Sequence, residues 1–444
     1  MNSWQPSYSR AGRSIGVIHF GLGAFHRGHQ ATYFDDALRR GLGEWGIYGI
    51  SPRSPEVTDR LRNQNFCYTV NARQGEAQDP VLVGSIFDGA LFDRANPDLN
   101  RAINSPELKL ITITVTEKAY VAGIDQESMP NRLLDLLHMR FCSGLSKPTI
   151  ISCDNLPGNG VFLRNVLLES AAQRELEGDF QQWLARVPMP NSMVDRIVPA
   201  ITPEAIARFE SDFGYVDRSL ISTEPFRQWV VEAHPSTSGL AELGIEVSPE
   251  VDGYEQVKLR LFNGAHSTTA YFSQLSGIEF VSQAIAIPEW DSFLSRLQRE
   301  ISRSLTAPSA IDVDQYSQVA RARIGNSAVA HRSAQIAMDG SAKLPQRLFR
   351  TINTLHAKGA EIERTAFAIA LWIRFLQSGL PITDPLVDEL TVRARDKDAE
   401  EAVGLVMQTP GLRNPVIEQA WPAIARYLGE LERHTPLEVA QGLQ

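Results

Sequence analysis

The chain has 444 residues, of which 43% are hydrophobic and 21% charged, with a formal net charge of −9. That length fits two or three domains, and the acidic balance excludes the clustered positive surface that nucleic acids and anionic membranes select. Three scattered cysteines (Cys67, Cys142, Cys153) and no Cys-x-x-Cys pair exclude a disulfide framework, a zinc ribbon or a thioredoxin-type dithiol. The longest apolar stretches fall short of the ~20 residues that span a bilayer. Met1–Arg13 is polar and lacks the apolar block of a secretion signal. The expectation is a cytoplasmic, multidomain enzyme.

In chain order, Ile15–Phe20 is a short apolar run that ends in Gly21-Leu22-Gly23, and residues 29–40 follow with helical spacing (Tyr33, Phe34, Ala37, Leu38). Further apolar runs at Trp45–Ile50, Val81–Ile86, Leu108–Val115 and Thr149–Cys153 read as strands, and Asn131–Met139 and Val161–Glu175 read as helices. Strand–helix alternation at this spacing predicts an α/β, doubly wound parallel sheet of Rossmann type over residues 1–250. From about Asp252 the pattern becomes helical (Leu259, Leu261, Phe262, then Phe293–Leu305, Leu348–Leu355, Ala366–Leu376 and Pro415–Leu431) without convincing strands. Residues 251–444 therefore read as a mostly α-helical second domain, joined near Pro249–Gly253.

The turn after the first strand, Gly21-Leu22-Gly23-Ala24-Phe25-His26-Arg27, invites a dinucleotide. Glycines let backbone amides approach a pyrophosphate, and the next helix offers its positive end. Histidine stands where a third glycine is usual, so a plain strand–helix turn is the alternative; Arg27 beside the turn suits a phosphate. The other strand ends carry Ser51-Pro52-Arg53, Thr114-Val115-Thr116-Glu117-Lys118 and Ser152-Cys153-Asp154-Asn155, polar groups where parallel sheets bind ligands. With Ser51 and Arg53 at the second strand's end, and no acid before Glu56, both NAD and NADP stay open.

In the segment from Tyr254 to His266, ideal helical geometry places Glu255, Lys258, Asn263 and His266 within about 140° of one another. Such a stripe is either a solvated face or a site. Chemically, a buried lysine can accept an alcohol proton, an asparagine amide can stabilise the alkoxide, and Glu255 can relay the proton to solvent. His19, His26 and His29 cluster early and His26-x-x-His29 could share a helical face, but no third ligand such as Cys or Glu follows in a recognisable metal pattern.

These blocks, with Thr114–Tyr120 (TVTEKAY), Ser152–Leu156 (SCDNL), Met193–Pro199 (MVDRIVP), Glu224–Trp229 (EPFRQW) and His331–Arg347 (HRSAQIAMDGSAKLPQR), make the chain resemble the polyol-specific long-chain dehydrogenases. That group contains mannitol 2-dehydrogenase and fructuronate reductase (D-mannonate oxidoreductase). The resemblance implies a Rossmann-type domain plus a helical domain with the active site between them, no metal, and Lys258 as general base. It implies Asn155 and Asn263 as the oxyanion hole, His266 and Lys343 on substrate hydroxyls, and substrate contacts from Asp154 and Gln335. Mannitol-specific members tend to carry arginine where Gln335 stands, so the wording lies closer to fructuronate reductases. The expected reaction is NAD-linked (or NADP-linked) interconversion of a C2 ketone and alcohol on a linear sugar acid, fructuronate to D-mannonate. A hexitol or pentitol dehydrogenase is the nearest alternative, and a cofactor-binding regulator without turnover the alternative of another class.

Overall fold

The computed structural model describes residues 5–443, and the chain divides into two compact units, Met1–Asp252 and Gly253–Gln444. In the first unit the strands run, in chain order, β1 (Ile15–Phe20), β2 (Gly46–Ser51), β3 (Tyr68–Gln74), β4 (Ala77–Val83), β5 (Ile86–Leu91), β6 (Leu110–Ile113) and β7 (Thr149–Ser152). Four short strands follow: β8 (Ser192–Asp195), β9 (Ile221–Thr223), β10 (Gln228–Glu232) and β11 (Glu246–Ser248).

The central sheet has the order β5-β2-β1-β6-β7, and every pairing in it is parallel. Its strands are nearly continuous apolar runs because helices cover both faces. One face packs Phe34, Trp45 and Trp229; the other packs Leu133, Leu137, Leu163 and Leu167 from helices Met129–Cys142 and Asn159–Gln173. The strand order reverses between β1 and β6, which opens a crevice beyond their carboxyl ends.

The apolar run Val81–Ile86 is two strands rather than one. The chain breaks at Gly84-Ser85, where the Gly84 amide donates to Asp35 (2.8 Å) and the Ser85 hydroxyl to the Ala31 carbonyl (2.8 Å), both on helix Gln30–Arg39. β4 pairs antiparallel with β3, and β9 flanks β3, while β8, β10 and β11 form a third small sheet. β3 and β8–β11 answer to none of the apolar runs that read as strands in the sequence.

The second unit is helical, and its β pairing among the described residues is one isolated bridge, Phe280 to Arg332. Helix Glu363–Gln377 is buried without interruption from Thr365 to Ile373. A helix apolar all round belongs in the middle of a bundle, and Ala399–Met407, Trp421–Glu430 and Gly264–Leu275 pack against it. Phe272 stacks on Trp290 with centroids 3.7 Å apart. Lys258–Asn263 and Pro345–Phe349 depart from α geometry as π-helical turns. Among the described residues no helix is long and apolar enough to cross a membrane.

Candidate active site

The crevice beyond β1 and β6 encloses about 480 Å³ and is lined by Gly21, Leu22, Gly23, Ser51, Arg53, Thr116 and Lys118, among others. Gly21 has φ +99°, and a Cβ there would lie 1.9 Å from the Thr114 carbonyl oxygen; only glycine lets the two strand ends approach so closely. His19 buttresses the turn. Its Nε2 sits 3.0 Å from the Gly21 carbonyl and its Nδ1 2.8 Å from the Thr112 hydroxyl. A carbonyl only accepts, so Nε2 carries the hydrogen and Nδ1 accepts from Thr112. Burial pushes the His19 pKa down to about 3, which keeps the ring neutral.

The remainder of the glycine-turn motif faces inward. His26 is fully buried and stacks on His19, centroids 3.3 Å apart and planes 13° from parallel. That packing explains a histidine in the third glycine position. Arg27 is buried too; it donates to the Ser219 carbonyl at 2.6 Å and lies over the Tyr68 ring at 5.5 Å. Ala24 and Phe25 pack against the apolar core. The structure thus gathers Gly21, Leu22, Gly23, Ser51, Arg53, Thr116 and Lys118 around the crevice, and turns Ala24, Phe25, His26 and Arg27 into its support.

The ends of β6 and β7 are stapled together. Asp154 accepts from the Val115 amide (3.1 Å), the Thr116 amide (3.0 Å) and the Tyr120 hydroxyl (2.6 Å). This holds Thr116 at φ +75°, a left-handed conformation costly for a β-branched residue. Asp154 therefore shapes the loop, and Asn155 beside it is exposed at the carboxyl end of β7. Glu117 opens a short 3-10 turn, and its side chain lies outside the described residues. Sequence reasoning missed Arg132, which lines the crevice, donates to the Pro52 carbonyl (2.5 Å) and lies over Phe92 at 5.0 Å. Only tertiary packing brings it to the second strand's end.

In the second unit, Lys258 opens and Asn263 closes the π turn, and both are buried, 7% and 9% exposed. A 3.6-residue repeat sets residues five apart about 140° from each other. An i→i+5 repeat makes them near neighbours on one face. The Gly264 amide bonds the Leu259 carbonyl, which is this longer spacing. The α-helix then resumes at Gly264, so His266 follows Asn263 one turn on. The assumption of ideal α geometry is thus corrected: Lys258, Asn263 and His266 share a face more closely than a plain helix allows. Glu255, one turn before Lys258, is half-buried.

Neighbours hold this irregular turn. Gln298 donates to the Leu261 carbonyl (3.1 Å), and Arg347 donates to the Asn263 carbonyl (3.4 Å) and the Ser267 hydroxyl (2.8 Å). The second π turn packs against the first. Lys343 donates to the Met338 carbonyl at 2.6 Å, on a segment tied down by Asp384, which takes the Ser341 amide and hydroxyl at 2.8 and 2.5 Å. Burial, reinforced by His331, Arg347, Arg323 and Lys343, drives the His266 pKa well down, so this ring is neutral. Gln335 is exposed on the short helix Ser333–Ala337. Among the described residues no three His, Cys, Asp or Glu side chains group as metal ligands.

A parallel sheet with a glycine-lined crevice at its switch point, followed by a helical unit with a buried lysine and amide on one face, defines a nicotinamide-dependent oxidoreductase of Rossmann type. The model of the mannitol dehydrogenase Rossmann domain matches residues 15–244 and that of the mannitol dehydrogenase C-terminal domain residues 250–419. The chain belongs to the mannitol dehydrogenase family and is a secondary-alcohol dehydrogenase. It is 30% identical over 438 residues to D-mannonate oxidoreductase of Escherichia coli (strain K12), covering 90% of each chain. Against the uncharacterized oxidoreductase YeiQ of the same organism it is 32% identical over 474 residues, covering 95% of this chain and 94% of the relative. Among solved structures it is similar to Pseudomonas fluorescens mannitol 2-dehydrogenase in ternary complex with NAD and D-mannitol. There the TM-score is 0.85 at 28% identity, over 99% of this chain and 96% of that one.

Proposed function

We propose that the protein interconverts fructuronate and D-mannonate with NAD, exchanging a ketone and an alcohol at the carbon numbered C2 in fructuronate. The observation that carries the reading is the π turn, which sets Lys258 and Asn263 on one buried face. The cofactor fits the first unit on one feature above all: Gly23 lines the crevice with open space where a side chain would stand, its Cβ position meeting only the Gly21 carbonyl oxygen at 3.9 Å. The Gly21-Leu22-Gly23 turn would lie along the pyrophosphate, with Ser51 and Arg53 near the adenosine ribose, where NADP is the alternative. Bound there, NAD supplies the hydride acceptor.

In the oxidative direction Lys258 accepts the hydroxyl proton as general base. Asn263 and Asn155 hold the oxygen as charge develops on it. Glu255 passes the proton towards solvent, and His266 and Lys343 hold neighbouring hydroxyls. Whole-chain similarity to a mannitol 2-dehydrogenase supports a second reading, a hexitol substrate such as mannitol. The positive surroundings of His266 favour the acid. Lys258→Ala is expected to lower kcat roughly 10²- to 10⁴-fold with NADH affinity unchanged, and wild-type turnover in that variant would dismiss the assigned base. Initial rates on D-mannonate, D-mannitol and D-arabinitol, each with NAD and NADP, fix substrate and cofactor together.

A further inference from the structure

His266 and His331 meet edge to face, with ring centroids 4.9 Å apart and planes at 72°. His266 Nε2 and His331 Nδ1 are buried without a hydrogen-bond partner. Native proteins leave few such atoms unmatched, and two in adjoining rings mark a place for a polar group from outside the chain. The largest charge effects on these rings from beyond the pair come from cations: Lys343 on both, and Arg347 and Arg323 on His266. Arg323 is itself fixed 4.0 Å over the Phe262 ring, which in turn lies 5.5 Å from His266. With burial, these cations keep both imidazoles neutral, His331 with a pKa of about 4. Neutral rings keep an N–H to donate, and the field around them favours an anion.

The spacing says which end of a linear substrate belongs there. His266 lies three residues past Asn263, about 4.5 Å along the helix axis, and the His331 ring lies beyond direct reach of Asn263's own turn, against His266 with centroids 4.9 Å apart. A group at this second ring is remote from the oxygen held by Asn263, at the far end of a four-carbon arm. A hexitol and the matching sugar acid differ at that end alone, hydroxymethyl against carboxylate.

We propose that His331 seats the carboxylate of a linear sugar acid at the end remote from the reacting carbon, beyond the hydroxyls that His266 and Lys343 hold, and so selects acid over polyol. The proposal rests on the sugar-acid reading of the chain. His331 is half-buried on an irregular stretch before helix Ser333–Ala337, so its replacement leaves the bundle's core packing untouched.

The test compares D-mannonate and D-mannitol in wild type, His331→Ala, His331→Gln and His331→Asp, with NADH affinity and Tm as controls for folding. Loss of a hydrogen bond to a charged partner predicts a KM for D-mannonate raised roughly 10- to 100-fold in His331→Ala. The expected kcat stays within a few-fold of wild type and kcat/KM for D-mannitol does not change. His331→Gln, which retains a donor, recovers part of the loss; His331→Asp, which brings a negative charge, deepens it for the acid alone. An unchanged KM for D-mannonate, or an equal fall on both substrates, overturns the seat while leaving the sugar-acid reading intact. A wild-type enzyme that uses D-mannitol as well as D-mannonate overturns that reading and the seat with it.

Discussion

Replacing Gly21 with alanine tests the turn proposed to carry the cofactor. The new methyl would sit 1.9 Å from the Thr114 carbonyl oxygen, and φ is +99°. A left-handed non-glycine residue costs about 1–2 kcal/mol. Relief of the overlap needs a shift of roughly 1 Å or more, large enough to break hydrogen bonds whose useful range is only a few tenths of an ångström wide. The bonds lost are those from His19 (3.0 Å) and the Thr114 hydroxyl (2.9 Å) to the Gly21 carbonyl, about 1 kcal/mol each. The combined loss of about 3–4 kcal/mol corresponds to a Tm lower by roughly 10 °C in a unit of this size. Gly23 is the control, because a methyl there meets only the Gly21 carbonyl oxygen, at 3.9 Å. Gly23→Ala should leave Tm within about 2 °C of wild type, the ordinary range of a surface substitution. If a pyrophosphate approaches its backbone, NADH affinity alone should fall. Calorimetry and NADH fluorescence titration read both variants. A Gly21→Ala protein with wild-type Tm and wild-type NADH affinity would refute the close-approach argument.

Two further outcomes follow from buried groups. Burial holds His19 and His29 at about 3 and His331 at about 4, and drives His26 and His266 well below the ordinary value. The unfolded chain takes up these protons near pH 6.5 and the folded chain does not, so stability is full above that pH. It declines as pH falls through 6.5 and levels off only below the folded values, with a slope of about 1.4 kcal/mol per pH unit for each histidine. A Tm that stays flat from pH 7.5 to 5 would contradict this. In the second unit, a methyl on Gly340 would lie 2.6 Å from Trp372 Nε1 and 2.7 Å from the Tyr271 hydroxyl. Gly340→Ala should cost about 1–3 kcal/mol by overpacking, read by urea unfolding, and should weaken catalysis through the displaced Lys343 segment.

Much of this molecule is legible in its residues. The apolar run Ile15–Phe20 closed by Gly21 announces a buried parallel strand and a tight turn, because burial on both faces and a left-handed backbone leave few alternatives. Lys258, Asn263 and His266 stand out as a chemically purposeful set on a helical segment. The small sheets of β3, β4 and β9 and of β8, β10 and β11 did not stand out. Several of their strands are only three to five residues long, and two of their four pairings join segments far apart in the chain, so little local period betrays them. Arg27, next to a glycine turn, reads as a phosphate ligand, yet it ends on the carbonyl of Ser219, a partner 192 residues away.

The sequence alone determined the class of fold, the glycine turn and the candidate reactive side chains, since these depend on local conformational freedom and on chemical type. Tertiary structure decided how they are aimed. A run of residues is written the same way for an α-helix and for a π turn. Contacts from Gln298, Arg347 and the second π turn are what hold the longer repeat between Lys258 and Asn263. Likewise His331 gains its meaning only when folding lays it against His266, 65 positions earlier in the chain. Pairing over such separations is set by packing, which local sequence does not encode.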